Sequence, residues 1–101
     1  MFVAINRMTV PEEYREKFET MFKTRAHAVD QRPGFVSAQI LRPSEGNDYL
    51  VVTHWESREH FDSWNGSEEY KQGHSRVGEF RGADGKMALR SSVEQYEVIA
   101  K

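Results

Sequence analysis

The strands of this chain carry apolar side chains on both faces, and that constrains the fold more than any other feature. In 2–10, Phe2, Ala4, Asn6 and Met8 share one face, while Val3, Ile5, Arg7 and Thr9 share the other. In 49–56, Tyr49, Val51, Thr53 and Trp55 point one way and Leu50, Val52, His54 and Glu56 the other. Residues 35–42 precede that strand across Pro43-Ser44-Glu45-Gly46-Asn47-Asp48, so 35–56 is expected to form an antiparallel hairpin. Helices can cover only one face of such a sheet. The other face is expected to bury itself against a second copy of the chain.

The helical segments follow from caps and spacing. Thr9 and Glu12 have capping-box spacing around Pro11, which is tolerated in a first turn. Tyr14, Phe18, Met21, Phe22 and Val29 then form an apolar stripe at helical period. Arg32-Pro33-Gly34 turns the chain. Ser57 is expected to cap a short helix ending at Trp64, closed by Asn65-Gly66, and Ser67 to cap another running to about Val77. Residues 78–91, with Gly78, Gly82 and Gly85 among mixed charges, read as a surface loop. Ser92–Ile99 is the last strand. The order β-α-β-β-α-α-β is that of an α+β, ferredoxin-like split βαβ domain with an antiparallel sheet, one domain over 1–101.

Composition narrows the function classes. A formal net charge of −2 with a pI near 6.1 gives no basic stripe for nucleic acid. With no cysteine, disulfides and thiolate metal sites are excluded. The first residues lack the charge and apolar run of a signal peptide, and no stretch approaches the roughly 18 apolar residues of a membrane span. A soluble, cytoplasmic protein with no membrane partner is expected.

Three residues stand out chemically. Asn6 is a carboxamide in an apolar row, which needs hydrogen-bond partners or a ligand if buried. Trp64 and His74 lie on either side of the Asn65-Gly66 break, which frees both rings to border one cavity, and Gly73 removes a side chain where a flat ligand could approach the backbone. A core tryptophan and a solvated histidine are the plainer readings. Arg25 projects from the apolar stripe between Phe22 and Val29, either snorkelling to an ion pair or facing an anionic ligand.

Asn6-Arg7-Met8-Thr9, Phe22-Lys23-Thr24-Arg25, Pro33-Gly34-Phe35 and Val51-Val52-Thr53-His54-Trp55-Glu56-Ser57 together resemble the IsdG-type haem-degrading monooxygenases. These belong to the antibiotic biosynthesis monooxygenase group of dimeric α+β barrels. The Asn/Trp/His set of those enzymes is matched at Asn6, Trp64 and His74. The resemblance implies a homodimer in which haem is both substrate and cofactor, with dioxygen and an external electron donor, a reductase or a small reductant. It implies His74 as the iron ligand, a role for neutral imidazole. It further implies Asn6 as the distal hydrogen-bonding group, Trp64 pressing the porphyrin out of plane, and Phe22 lining the pocket. Arg25 would face a propionate. The expected reaction opens the haem ring to a bilin-like product and releases iron. A cofactor-free monooxygenase of a quinol-like or anthrone-like aromatic, with His74 as a base, is the alternative on the same fold. A non-catalytic haem-binding or stress module is a third reading.

Overall fold

The computed structural model describes residues 1–23, 28–67 and 89–101 of the chain. Strand β1 (Phe2–Thr9) leads through a 3-10 turn (Glu12–Tyr14) into helix α1 (Arg15–Lys23), and a second 3-10 turn (Ala28–Gln31) precedes β2 (Phe35–Leu41). β3 (Asp48–Trp55), α2 (Arg58–Asn65) and β4 (Arg90–Glu97) complete the described elements. The four strands lie in the order β2-β3-β1-β4 and every pair is antiparallel. The first strand is therefore central, flanked by the hairpin on one side and the last strand on the other. This is the ferredoxin-like arrangement that the order of elements predicts.

Where boundaries differ, local chemistry explains the shift. The Thr9/Glu12 capping box does not form: Thr9 stays in the sheet, and its hydroxyl donates to Asp48 Oδ1 at 2.7 Å, its register partner on β3. Pro11 takes the N-cap position, with no side-chain cap, and the first turn is 3-10 with Tyr14 N donating to Pro11 O. Ser57 does cap α2, accepting from His60 N at 3.4 Å. β4 begins at Arg90, and Leu89 just before it is buried, so the expected loop to residue 91 ends earlier. The expected helix from Ser67 to Val77 falls on residues outside those described, apart from Ser67 itself.

Both helices sit over the face of the sheet that carries Phe2, Ala4, Met8, Tyr49 and Trp55. Trp55, Tyr49, Phe18 and Val10 are fully enclosed there; burying a side chain the size of phenylalanine contributes about 1.5–3 kcal/mol. The core is split in two. Met8, Val10, Phe18, Met21, Tyr49 and Leu89 form one cluster under α1, and Phe2, Ala4, Val29, Trp55 and Phe61 form the other under α2. The opposite face presents Val3, Ile5, Leu50 and Val52 in register with Leu41 and Tyr96, the last two 42% and 49% exposed. No helix among the described residues is long and apolar enough to cross a membrane.

Candidate functional site

The break between the two clusters is where the sequence places its odd residue. Along β1, Phe2 and Ala4 belong to one cluster and Met8 to the other, with Asn6 between them. Asn6 pairs in register with Val51 on β3 and Val93 on β4, and its Oδ1 is buried with no hydrogen-bond partner among the described residues. Leaving such an amide oxygen unsatisfied costs about 1–3 kcal/mol. Thr53, opposite Ala4 on β3, is engaged, its hydroxyl accepting from Trp55 Nε1 at 2.9 Å and donating to Ala4 O at 3.4 Å.

Each side of the break carries an aromatic ring. Phe22, at the end of α1, packs against the first cluster and meets Phe18 edge-on, with centroids 4.9 Å apart. Trp64, in the last turn of α2, is half-buried against the second cluster. Asn6 thus lies on β1 between the two clusters, with Phe22 packed on the first and Trp64 on the second. Arg25, Gly73 and His74 lie outside the described residues, and so does any metal ligation by His74. Among the described residues no group of His, Cys, Asp or Glu is gathered to hold a metal.

α1 is fixed by a network that sequence reading missed. Glu19 accepts two bonds from Arg42, including one at 3.0 Å from Nε, and a very short one from the Tyr49 hydroxyl. The Arg42 bonds, then Tyr49, hold the Glu19 carboxyl down at about 2. Burial, and next the Glu19 carboxylate, push the Tyr49 phenol up. Arg15 stacks 5.5 Å over the Tyr49 ring and donates to Gly46 O at 3.2 Å. The one available signal was Tyr49 itself, a phenol on a core-facing position that must find a partner for its hydroxyl.

α2 is fixed through the Pro33-Gly34 corner. Gly34 has φ +79°, and a Cβ there would lie 2.1 Å from His60 Cγ, so both conformation and space demand glycine. Its carbonyl accepts from Glu56 N at 2.8 Å, while the His60 ring bonds Ser57 Oγ at 2.7 Å. Ser67 turns back on the helix it follows: its N–H and Oγ both donate to Trp64 O, at 3.0 and 2.7 Å.

The sequence model of the antibiotic biosynthesis monooxygenase family matches residues 1–76. The chain belongs to that family. Among its relatives, a heme oxygenase (mycobilin-producing) of Mycobacterium tuberculosis is 49% identical over 63 residues, a stretch covering 61% of this chain and 60% of the relative. The matched stretch thus spans less than two thirds of that relative's length. A heme oxygenase (staphylobilin-producing) of Staphylococcus haemolyticus is 32% identical over 73% of each protein. The solved structure of the heme-degrader MhuD from Mycobacterium tuberculosis, with two hemes bound in its active site, superimposes with a TM-score of 0.76 at 34% identity, covering 100% of this chain and 98% of the other.

Proposed function

We propose that this family member is a haem-degrading monooxygenase, which opens the macrocycle oxidatively to a bilin-like product and releases iron. The observation that carries the reading is the buried Oδ1 of Asn6, without a hydrogen-bond partner among the described residues, on β1 between the two core clusters. A carboxamide left unsatisfied in an apolar gap fits a flat apolar ligand whose reacting centre needs a hydrogen-bonding group. Haem would supply the iron that activates dioxygen, with electrons from an external reductant.

The chain's own residues then have distinct tasks. Asn6 presents its amide to the reacting side. Phe22 closes the wall beneath α1 and keeps water from the ring. Trp64, at the end of α2, would pack on the face of the macrocycle and so bear on which carbon is attacked. His74 holds the iron through a neutral imidazole, Gly73 lets the backbone approach the ring, and Arg25 faces a propionate carboxylate. The open face of the sheet, with Leu50, Leu41 and Tyr96, is covered by a second copy in a homodimeric α+β barrel. The protein works in the cytoplasm without nucleic acid or membrane.

His74→Ala tests the assignment of the metal ligand. The expected result is loss of the Soret shift when hemin is added, or bound hemin that is no longer consumed with ascorbate and oxygen. Normal hemin degradation by the variant contradicts the assignment. An unchanged spectrum on titrating the parent protein with hemin favours cofactor-free oxidation of a small aromatic instead.

A further inference from the structure

In the last turn of α2, Asp62 O still accepts in the regular four-residue helical pattern, while Ser63 O and Trp64 O take donors from outside it. Asp62 O accepts from Gly66 N at 3.2 Å, and Trp64 O accepts from Ser67 N and Oγ. The tightened turn draws Ser67 N to Trp64 O at 3.0 Å and away from Ser63 O, four residues back. Ser63 O is served from another part of the chain: Arg32 donates to it at 3.2 Å, and the same guanidinium nitrogen donates to Ser63 Oγ at 3.0 Å. A cation at a helix C-terminus is favoured by the helix dipole as well as by the bonds.

Arg32 is itself held in place. Its N–H donates to Val29 O at 3.1 Å and its carbonyl accepts from Phe35 N at 3.2 Å, so its main chain is pinned between the 3-10 turn and β2. Beside it, Gly34 sits against the His60 ring on α2. The corner therefore grips α2 at two points one turn apart, and the second is the residue immediately before Trp64.

We propose that Arg32 is a positioning residue: by holding the carbonyl and hydroxyl of Ser63, it sets the pose of the Trp64 indole and so the selectivity of ring oxidation. The selectivity half of this rests on the haem-degrading reading; the indole half does not. Trp64 is half-buried, and the turn that carries it is one of the restraints on its ring. A displacement of a reacting group by about 1 Å can cost about a hundredfold in rate, so losing one of the restraints on this turn is expected to cost about tenfold.

The chain has two tryptophans, and Trp55, fully enclosed in the core, serves as an internal reference. The full chain labelled with 5-fluorotryptophan is read by fluorine NMR without hemin, in the parent, Arg32→Met and Arg32→Lys. Met keeps an apolar stem and has no donor; Lys keeps the charge and can still donate. The expected result is a Trp64 resonance that moves or splits in Arg32→Met, stays near its parent position in Arg32→Lys, and leaves Trp55 unmoved throughout. With hemin, ascorbate and oxygen, Arg32→Met is expected to lose about tenfold in turnover and to broaden the product isomers, with hemin affinity changing less than turnover. An unmoved Trp64 resonance in folded Arg32→Met overturns the proposal. If Arg32→Met does not fold, Ser63→Ala removes one of the two acceptors and must move the same resonance in the same direction by less; no movement there overturns it equally. Because the resonance is read without hemin, a parent protein that never consumes hemin would refute the haem reading and leave the positioning result intact.

Discussion

Asn6→Leu replaces the amide oxygen and nitrogen with two methyl groups in nearly the same shape, which makes it a sharp probe of the site. The buried Oδ1 has no partner among the described residues, and an amide oxygen left so costs about 1–3 kcal/mol in the folded protein without ligand. Removing it recovers that cost and adds apolar contact between Val51 and Val93, its register neighbours. In a domain of this size each kcal/mol moves Tm by about 4–8 °C, so Asn6→Leu is expected to melt at least about 4 °C higher than the parent. The same variant is expected to lose hemin turnover, because on the proposed reading the group it removes is the one facing the reaction. Most core substitutions destabilise, so a gain here would mark a residue kept for function at the expense of stability. Calorimetry of both proteins without hemin provides the test. A Tm equal to or below the parent's would show that the amide is satisfied in solution, and the case for a ligand at the break would go with it.

Other perturbations follow from the elements that frame the gap. Gly34→Ala must place a Cβ 2.1 Å from His60 Cγ at φ +79°; a loss of about 2 kcal/mol or more is expected in chemical denaturation, with weakened hemin binding as α2 shifts. Because Glu19 is held at about 2 in the folded protein against 4.5 unperturbed, its contribution to stability is present above the unfolded value and is lost as pH falls towards about 2. Glu19→Gln is therefore expected to flatten the acid limb of a stability–pH curve in that window, and an unaltered limb would count against the network.

The fold was legible because alternation over 2–10 and 49–56 assigns faces without knowing partners, and Ser57 is a cap that acts locally. Asn6 could be singled out for the same reason, as a polar side chain in a row whose neighbours must be buried. What escaped depends on distant residues. Thr9 has the spacing of a cap but finds Asp48 across the sheet; Glu19 meets Arg42 and Tyr49, and Arg32 meets Ser63, across 23 to 31 residues of chain. Ser67 bonds backwards to Trp64 O, which depends on how the Asn65-Gly66 turn tightens; the helix expected to start at Ser67 lies outside the described residues. Gly78, Gly82 and Gly85 suggested a loop reaching residue 91, whereas Leu89 is drawn into the core cluster of Met8 and Phe18 and the last strand begins right after it, at Arg90.

The central claim is that this sheet and its two aromatic-tipped helices hold haem in order to break it. An absorption time course of the hemin complex with ascorbate, started without oxygen and then opened to air, tests that most directly. The account predicts a Soret band that persists until oxygen enters, then decays as a bilin-like absorbance and chelatable iron appear. A Soret band that survives aeration unchanged would contradict it.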